Sequence, residues 1–576
     1  MAERDTVVAC LQRAPERETP RDGVTFIDGH EREQKLAWSE IHARTQRAAG
    51  ALAAQGVKPG DFVVLILPTG PGFLDAFFGA QWLGAVPVPV YPPVRLGRLD
   101  EYYARTAAML QAVQAAAVVT EPRIRRLLGQ VVARYKPRLG LIDVDTLQQG
   151  APRAAHPARP GDLAMVQFSS GTTVDPKAVA LSHRAALANV EAILTQIPHQ
   201  AADHPGGVSW LPLYHDMGLI GCVFPAVYHP GPLALIPPEQ FLIRPALWLR
   251  ALSRHRANVS PAPNFAYALC LERVRDEDLE DTDGHGTRAD LSAWRLALNG
   301  AEPISPHMLR AFQQRFRRWG LRDDAIKPVY GLSEASLAVT FTPLDRTWRA
   351  TRFSRAGLSQ HRAEPDLDGA ELVSVGLPLP GYGVAIRGPE GPDLPEGQVG
   401  AIHVSGPSLM EGYLNRDTSP IVDGWLDTGD LGFLWQGELY ITGRAKDILI
   451  LRGRNHAPQD VERAVDEVPG VRTGCAAAVA ELSEDGERLL LFVEARDPRL
   501  TLAEECRAAV LAQTSLEPGL VVVLEPGTLP RTSSGKIRRS ETLRQWQAGV
   551  LVPPQKVTPW MLAGAFAKSA LGYLRS

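Results

Sequence analysis

Short apolar runs alternate with helical patterns over the first two-thirds of the sequence. "DFVVLILP", which begins at Asp61, is typical of a buried strand, and a helical pattern follows it from about Gly72 to Leu83. "VPVPVYPP", which begins at Val86, is predicted to be extended because prolines disfavour helix in the residues before them. "LAMVQFSS", which begins at Leu163, is another strand candidate. This alternation predicts an α/β architecture.

The chain has 576 residues, which is too long for a single core, so we expect at least two domains. Its net charge of −3 provides no general attraction to nucleic acid or to an anionic membrane, and an electrostatic partner would have to be met by a local patch. The most apolar region, residues 62–93, is interrupted by prolines, glycines and an aspartate, so it does not form a clean membrane span.

The N-terminus, "MAERDTVVACLQRAPERETP", lacks the apolar core of a signal peptide. The five cysteines lie far apart and form no CxxC pair, which argues against a disulfide framework and a structural zinc site. We therefore expect a cytoplasmic protein with reduced, mostly buried thiols. The cysteines are Cys10, Cys222, Cys270, Cys475 and Cys506.

The stretch "QFSSGTTVDPKAVALSH", Gln167 to His183, is rich in hydroxyls and presents one lysine, Lys177. Such a loop can cradle phosphate through backbone N–H groups and hydroxyl donors. It is not a Walker A loop, because Pro176 and Ala178 stand where that motif needs glycine and Ser/Thr. A helix capped by Ser182 is predicted to follow, and strand, hydroxyl loop and helix together form a suitable context for anion binding.

The sequence changes character after the first two-thirds. Residues 336–372 are polar and charged with weak periodicity, which predicts a long surface excursion. Alternating strand patterns resume with "GYGVAIRG", "VGAIHVSG" and "GELYITG". A smaller α+β unit follows, with strands near "GCAAAVAEL", "RLLLFVEAR" and "GLVVVLEP" and a helix near "LAEECRAAVLAQ". We place the domain boundary near Lys446.

The last segment, "VTPWMLAGAFAKSALGYLRS", is predicted to form a terminal helix that docks onto the protein's own surface. Thr558 would cap it, with Pro559 at the first helical position. Its expected apolar stripe consists of Leu562, Phe566, Leu571 and Leu574.

Four further motifs follow the hydroxyl loop. They are "NGAE" from Asn299, "VYGLSEA" from Val329, "DTGDLG" from Asp427 with "GRAKD" from Gly443, and "LPRTSSGKIRR" from Leu529. In this order, and from about residue 20 to residue 545, the five motifs resemble the adenylate-forming enzymes: acyl-CoA synthetases, adenylation domains and luciferase relatives. The resemblance implies a large N-terminal domain with two sheet-containing lobes and a distorted β-barrel (1–445), a small mobile α+β domain (446–545) and a helical extension (546–576).

Four sequence stretches resemble one branch of this family more specifically, the fatty acyl-AMP ligases. The stretches that carry it are "LPLYHDMGLIG", "SPAPNFAY", "PVYPP" and "GELYITGRAKDILILRGRNHAPQDVE". That branch implies ATP and Mg²⁺, a fatty acid substrate, and transfer of the acyl group to an acyl carrier protein or a carrier domain of a polyketide or peptide synthase. The branch also carries an insertion associated with rejection of coenzyme A, and its counterpart is expected within residues 336–372.

The resemblance assigns the nucleotide contacts. The hydroxyl loop would hold the β- and γ-phosphates through Ser169, Ser170, Gly171, Thr172 and Thr173, with Lys177 adding a charge. Adenine would stack on Tyr330, with Gly300 and Ala301 on its other side and Asn299 and Gly331 in the same site. Asp430 would grip both ribose hydroxyls, Arg444 would bond ribose as well, and Glu334 would hold Mg²⁺.

The resemblance also assigns the reacting groups. The site must bring two anions together, so it needs positive charge and aligned donors. Lys536 would bridge the acyl carboxylate and the α-phosphate, and His215 and Trp210 would lie near the carboxylate and the nucleotide. Asp216 is expected to orient the local turn. Lys446 matches the hinge about which the small domain rotates between the two half-reactions.

A basic cluster in the small domain has two open readings: an acyl carrier docking face, or a solvated and partly paired surface. It consists of Arg531, Lys536, Arg538, Arg539 and Arg544.

Three positions depart from the family pattern. Val174 and Ala178 replace glycines of the hydroxyl loop, and Ala457 replaces a tyrosine of the ligase branch. Two alternatives therefore stay open. One is an acyl-CoA synthetase on the same fold, and the other is a non-catalytic relative that binds nucleotide or acyl chains.

Overall fold

The fold is described by a computed structural model. The predicted α/β architecture is confirmed. The structure describes residues 5–93, 99–169, 176–197, 206–282, 286–389, 391–451, 454–483, 486–496, 498–532, 535–554, 565–570 and 572–573.

The largest sheet in the described part of the chain has nine strands. Its middle six strands run parallel, and antiparallel strands complete both edges. Because helices cover both faces, central strands such as Leu296–Gly300 are buried along their whole length and read as continuous apolar runs. The strand order is Leu377–Pro378, Ala338–Phe341, Ile326–Gly331, Leu296–Gly300, Val259–Pro263, Gly207–Ser209, Pro232–Leu235, Gly23–Ile27 and Glu33–Leu36.

A second lobe is built on a parallel sheet with the order Val86–Pro89, Phe62–Ile66, Ala117–Thr120 and Leu141–Asp143. Pro87 and Pro89 have no N–H to donate, and they are tolerated because their strand lies at the sheet edge. The predicted helix after Phe62–Ile66 is confirmed as Pro71–Leu83.

The hydroxyl loop connects two strands of a hairpin, so the predicted order of strand, loop and helix is wrong. Leu163–Phe168 and Ala178–Ser182 pair antiparallel, and Gly412–Tyr413 adds a third strand. The apolar run after Lys177 is fully buried and folds back onto the first strand. The helix His183–Thr195 begins only after this second strand, with the Ser182 hydroxyl accepting from the Ala185 N–H at 3.2 Å as predicted.

Residues 336–372 are not simply a surface excursion. Ala338–Phe341 is a fully buried strand of the largest sheet, and Ala350–Phe353 pairs with Ala370–Val373 in a separate hairpin. The ring of Phe353 is buried against Phe433 at 4.9 Å between centroids. Phe353 thus anchors the first strand, in which Thr351 and Arg352 obscure the strand pattern, and Ala370 and Val373 are the buried residues of the second strand.

The predicted strands of the following barrel-like sheet are confirmed. Trp425–Trp435 pairs with both Gly400–Ser405 and Glu438–Arg444. The remaining two strands of this sheet are Gly383–Arg387 and Ile421–Val422.

The C-terminal unit has its own core, whose buried residues begin at Leu449 and end at Val521. Its strands are confirmed as Val471–Ser483, Gly486–Ala495 and Leu520–Leu524, with a short pair Leu449–Leu451 and Arg454–His456. Its helices are Pro458–Asp466, Leu502–Thr514 and Arg539–Gln547.

The chain end lies against the N-terminal part of the protein. Residues 565–570 are helical, and the buried Ser569 hydroxyl accepts from the Gly129 N–H at 2.8 Å. Gly129 has no room for a side chain, because a Cβ there would overlap the Ser569 carbonyl oxygen. Phe566 is 41% exposed, so its predicted place in an apolar stripe is wrong. Thr558, Pro559, Leu562, Leu571 and Leu574 lie outside the described residues.

The remaining helices cover the sheets. None of the helices in the described ranges has the length and apolar character needed to cross a bilayer. The α-helices are Val7–Arg17, Trp38–Ala54, Leu99–Ala112, Pro122–Arg125, Gly129–Arg134, Asp216–Gly218, Phe224–Tyr228, Pro238–Ile243, Ala246–Arg254, Asn264–Arg273, Glu277–Glu280, Pro306–Phe316 and Arg355–Ser359. The 3₁₀ turns are Val144–Gln149, Arg317–Trp319 and Ser333–Ala335, and Leu219–Val223 is a π-helical turn.

Candidate active site

The predicted site residues converge on one large cavity between the C-terminal unit and the rest of the protein, with a volume of about 4010 Å³. Asn299 is fully buried and does not line it, and its amide points to Asn264 instead, with 3.4 Å between Nδ2 and Oδ1. The predicted residues that line the cavity are Ser169, Lys177, Trp210, His215, Asp216, Gly300, Ala301, Tyr330, Gly331, Glu334, Asp430, Arg444, Lys446 and Lys536.

Asp430 is held on both carboxylate oxygens. The Tyr330 hydroxyl donates to Oδ2 at 2.8 Å, and Arg444 Nε donates to Oδ1 at 3.1 Å. Asp430 and Arg444 are register partners on neighbouring strands, which fixes their spacing. Burial raises the pKa of Tyr330, and the charge of Asp430 raises it further, so the phenol stays protonated and donates. A carboxylate has about four acceptor positions, so this one keeps capacity for two ligand hydroxyls.

Parallel strand ends bring "NGAE" and "VYGLSEA" together. Leu296–Gly300 and Ile326–Gly331 are neighbours in the largest sheet, and ligands of α/β sheets bind at the carboxyl ends of such strands. A Cβ on Gly331 would overlap the Leu337 carbonyl oxygen, so only glycine fits this wall. Tyr330, Gly300 and Ala301 all line the cavity, and their predicted places on the two sides of adenine stay a prediction.

Lys177, Tyr413 and Glu334 form a connected cluster at the end of the hairpin. Lys177 Nζ donates to the Tyr413 hydroxyl at 3.3 Å, and this hydroxyl donates to Glu334 Oε1 at 2.9 Å. The ammonium also lies 4.9 Å from the centroid of the Tyr413 ring, within the range of a cation–π contact. Burial lowers the pKa of Lys177, while the carboxylate of Glu334 acts in the opposite direction.

Tyr413 and Asn415 were not identified from the sequence. Gly412–Tyr413 pairs with the strand that follows Lys177, which brings its ring to the ammonium. Asn415 closes the same corner, since its Nδ2 donates to the Pro176 carbonyl at 2.9 Å and its Oδ1 accepts from the Ala178 N–H at 3.2 Å. The four residues Ser170, Gly171, Thr172 and Thr173 of the predicted phosphate loop lie outside the described residues.

Lys536 reaches the cavity from the C-terminal unit. Its turn is closed by two hydrogen bonds, from the Thr532 N–H to the Lys536 carbonyl at 2.7 Å and from the Lys536 N–H to the Thr532 hydroxyl at 3.0 Å. Burial lowers the pKa of Lys536, and Arg444 lowers it further. The acidic groups that oppose this shift are Asp216, Glu302 and Asp430. The lysine of the small unit therefore lies within electrostatic range of the Asp430 centre.

Glu302 is a third residue that was not identified from the sequence, although "NGAE" ends with it. Its Oε1 accepts from the Phe265 N–H. Burial raises the pKa of Glu302, while Lys536 and Arg531 act to lower it. Glu302 and Lys536 line the same cavity.

The turn at His215 is tied to the hairpin. Gln167 Nε2 donates to the Tyr214 carbonyl at 2.6 Å, and the His215 and Tyr214 rings are 5.1 Å apart. Asp216 orients this turn as expected, since Oδ1 accepts from the Met217 N–H at 2.7 Å and Oδ2 accepts from the Ser333 hydroxyl. Trp210 is almost fully buried and stacks on Phe241, so it forms apolar cavity wall.

The exposed Lys446 lies in the turn after Glu438–Arg444, directly before the C-terminal core. Its neighbour Asp447 pairs with Arg539, with 3.0 Å between Oδ2 and Nη1, and Arg539 also binds Glu462 through two contacts of 2.6 Å. This network joins the predicted hinge to the helix Pro458–Asp466 and to the helix Arg539–Gln547, which begins three residues after Lys536.

The basic side chains of this cluster make contacts within the protein. These contacts favour the interpretation as a partly paired surface over a carrier docking face. Arg539 is paired as described, Arg538 pairs with Glu101, and Arg544 pairs with Glu541. Arg531 donates to the Gly535 and Gly474 carbonyls and to the Cys475 sulfur. Lys536 points into the cavity. These five residues therefore do not form a free docking face.

Within the described ranges, no three His, Cys, Asp or Glu side chains gather into a metal-binding group. Glu334 nevertheless fits a role in binding Mg²⁺ together with a nucleotide. Mg²⁺ sites of this kind use one or two carboxylates and take their other ligands from phosphates and water. Glu334 supplies one such carboxylate beside Lys177.

The AMP-binding enzyme family matches residues 11–414, about 70% of the chain. The chain belongs to this family. This AMP-binding enzyme has curated relatives of similar length. One is the medium-chain-fatty-acid–[acyl-carrier-protein] ligase JamA of Moorena producens, 33% identical over 96% of this chain and 98% of the relative. Another is a Caulobacter vibrioides protein named provisionally as an acyl-CoA synthetase, 34% identical over 90% and 91%.

Among solved structures, the AMP-binding enzyme is similar to a fatty acyl-adenylate ligase from a study of the E. coli and L. pneumophila enzymes. The two chains are 33% identical, the TM-score is 0.87, and the match covers 95% of this chain and 99% of that one.

Proposed function

We propose that this AMP-binding enzyme is a fatty acyl-AMP ligase. It activates a medium- or long-chain fatty acid with ATP, releases pyrophosphate, and transfers the acyl group to the phosphopantetheine thiol of an acyl carrier protein. The observation that carries this proposal is the meeting of Lys536 with the Asp430, Tyr330 and Arg444 centre in one cavity. The ligase names of similar proteins support the acyl and carrier substrates.

In the first half-reaction, a carboxylate oxygen of the fatty acid attacks the α-phosphorus of ATP. The bond from this phosphorus to the bridging oxygen breaks, and pyrophosphate leaves. Negative charge accumulates on the α-phosphate as the two anions meet, and Lys536 is the ammonium that offsets it. Lysine suits this role because the target is a compact charge that does not need a bidentate fork.

The large domain holds the nucleotide during this step. Asp430 accepts the ribose hydroxyls while Tyr330 and Arg444 keep its carboxylate in place, and Tyr330 presents its ring to adenine. Ser169 and Lys177 face the β- and γ-phosphates, and Tyr413 orients the Lys177 ammonium. His215 lies near the acyl carboxylate. Mg²⁺ bound at Glu334 would offset phosphate charge.

In the second half-reaction, the carrier thiolate attacks the carbonyl carbon of the acyl-adenylate. The anhydride bond breaks, AMP leaves, and a thioester forms. We propose that the C-terminal domain, residues 446–545, turns about Lys446 between these steps. In support, the separate C-terminal core begins three residues later, at Leu449. The hairpin of Ala350–Phe353 and Ala370–Val373 is the proposed counterpart of the ligase insertion.

We place the enzyme in the cytoplasm. All five cysteines are unpaired and buried, as expected for a protein of a reducing compartment.

The test separates the proposed ligase from an acyl-CoA synthetase, a name that one relative carries. The protein is incubated with ATP, Mg²⁺ and a pool of fatty acids, and then with either coenzyme A or a holo-acyl carrier protein. We expect acyl-adenylate in mass spectra, efficient loading of the carrier and little acyl-CoA. Equal acyl-CoA formation would favour the synthetase, and no adenylate with any acid would favour a non-catalytic binding protein.

A further inference from the structure

Arg538 connects the two parts of the protein two residues after Lys536. Its Nη1 is 3.1 Å from Glu101 Oε1, on the helix Leu99–Ala112 of the large domain. The Arg538 side chain is 4% exposed, whereas that of Glu101 is 46% exposed. The contact thus joins a buried cation of the small domain to a carboxylate at the edge of the cavity.

Glu101 is one of the groups that offset the buried charge of Arg538. Burial lowers its pKa, and Arg105, one helical turn after Glu101, lowers it further. The groups that act in the opposite direction are Glu541, Glu101 and Tyr91. A guanidinium remains charged in proteins. Loss of Glu101 would therefore remove the carboxylate of the large domain from a buried cation that also lies near Arg105, while Glu541 of the following helix would remain, so the cost falls on the contact between the domains.

Arg538 is coupled to the Lys536 turn through the backbone. Its N–H donates to the Pro530 carbonyl at 2.9 Å, which closes the base of the turn. Its carbonyl accepts from the Thr542 hydroxyl at 3.0 Å, which ties the turn to the helix Arg539–Gln547. The next residue, Arg539, faces the opposite way and pairs with Glu462 inside the small domain. The turn is therefore fixed on one side to its own domain and on the other to Glu101.

We propose that Glu101 and Arg538 are positioning residues that hold the turn of Lys536 in the cavity for adenylation. The inference rests on the proposed function, because it assumes that Lys536 acts in the first half-reaction. When the small domain turns for thiol transfer, this ion pair opens, so it favours the first half-reaction only. The ion pair is therefore formed in the domain orientation for adenylation and broken in the orientation for thiol transfer.

The substitution Glu101→Gln tests this role with separate assays of the two half-reactions. We expect pyrophosphate release to fall about tenfold, because the adenylation orientation loses an ionic hydrogen bond. Transfer from pre-formed acyl-adenylate to the carrier should be unchanged or faster. In the double variant Glu101→Arg with Arg538→Glu, adenylation should recover relative to Glu101→Arg alone. Unchanged adenylation in Glu101→Gln, equal losses in both half-reactions, or no recovery in the double variant would each overturn the proposal.

A second ion pair between the domains provides the matched control. Arg496 Nη2 is 2.7 Å from Glu272 Oε2, and the two side chains are 47% and 37% exposed. Exposed pairs contribute little, so Glu272→Gln should change adenylation less than twofold. A comparable loss in this variant would assign the effect to general domain contact and overturn the specific role of Glu101.

Hydrogen exchange makes the proposal testable even if the proposed function fails. In the protein alone, Glu101→Gln should accelerate amide exchange in peptides covering residues 529–539, and Glu272→Gln should not. Absence of acyl-adenylate in the wild-type protein would refute the ligase activity. Unchanged exchange in Glu101→Gln would refute the positioning contact independently of activity.

Discussion

Asp430 accepts a hydrogen bond on each carboxylate oxygen, from Tyr330 on one side and from Arg444 on the other. In the proposed function, these bonds fix the acceptor positions that remain for the ribose, so the binding geometry exists before the nucleotide arrives. Preorganised donors and acceptors of this kind lower the cost of charge rearrangement during the reaction. Substitution of Lys536 should test this effect of preorganised groups on the reaction rate most directly.

We expect Lys536→Ala to reduce the rate of acyl-adenylate formation by about 10²–10³-fold, because a positioned charge donor is lost at the transition state. The effect should be confined to the first half-reaction. Pyrophosphate release at saturating ATP and acid measures it, with transfer from pre-formed adenylate as the internal control. An undiminished rate of adenylation would show that another group offsets the developing charge.

We expect Tyr413→Phe to slow adenylation about tenfold and to raise the KM for ATP. The variant keeps the ring beneath Lys177 but loses the hydroxyl that joins Lys177 to Glu334. Initial rates at varied ATP and Mg²⁺ measure the change. Tyr440→Phe is the matched control, because the Tyr440 hydroxyl contacts Thr351 and does not line the cavity. Equal kinetics in both variants would contradict the role of the Tyr413 hydroxyl.

Motif residues could be predicted from the sequence because each lies in a short, distinctive stretch. Tyr413 could not be predicted, because its contact with Lys177 spans 236 positions and depends on a two-residue strand. Asn299 illustrates the opposite error. Its motif is correct, but the strand alternation turns its side chain into the protein and leaves Gly300 and Ala301 at the cavity.

At the scale of elements, the first residue of the N-terminal helix Val7–Arg17 is hydrogen-bonded to a buried histidine. The Val7 N–H donates to Nδ1 of the buried His183 at 3.2 Å. Burial lowers the pKa of His183 to about 4, so the ring is neutral when folded and can accept this hydrogen bond. The unfolded chain has a histidine pKa of about 6.5 and takes up a proton first as pH falls. This stabilising contribution is therefore complete above about pH 6.5 and is lost as pH falls towards 4.

We expect the His183 contribution to the free energy of unfolding to fall by about 2 kcal/mol between pH 7 and pH 5. In His183→Asn, an amide oxygen can accept from the Val7 N–H without titrating, so this variant should lose less stability over the same interval. Urea unfolding at the two pH values measures the difference, and other titrating groups contribute equally to both proteins. Parallel losses in the two proteins would rule out His183 as the titrating group.

The types of most long elements could be predicted from periodicity, whereas the types of short runs and the pairing of elements could not. "AVALS" is a run of five small and apolar residues, which is too short to separate a strand from a helix start. Its pairing with Leu163–Phe168 is settled by burial on both faces, a property of the folded state. The hairpin after Ala350 was hidden for a related reason, since only Phe353 of its first strand is fully buried.

At the scale of the whole molecule, the chain end buttresses the lobe beside the cavity. The Ser569 hydroxyl accepts from Gly129, and the Tyr573 hydroxyl donates to the Arg125 carbonyl. Ile124 and Leu127, on the segment in contact with this end, line the cavity. The tail therefore supports part of the cavity wall from behind.

We expect removal of residues 555–576 to accelerate hydrogen exchange in residues 122–134 and to raise the KM for the fatty acid, with the KM for ATP unchanged. The wall that carries Ile124 and Leu127 loses its support, whereas the Asp430 centre is untouched. Ser569→Ala should show a weaker effect of the same sign, since one hydrogen bond contributes about 0.5–1.5 kcal/mol. Unchanged exchange after the deletion would contradict a supporting role.

The docked tail also fastens the small domain at a second point. One attachment is the turn after Arg444, and the other is the contact of Ser569 with Gly129. Eleven peptide steps separate Pro554 from Ala565, so these two residues cannot be more than about 40 Å apart while the tail stays seated. In the proposed function, in which the small domain turns between the two half-reactions, this second attachment would limit how far the domain can rotate while the tail stays bound.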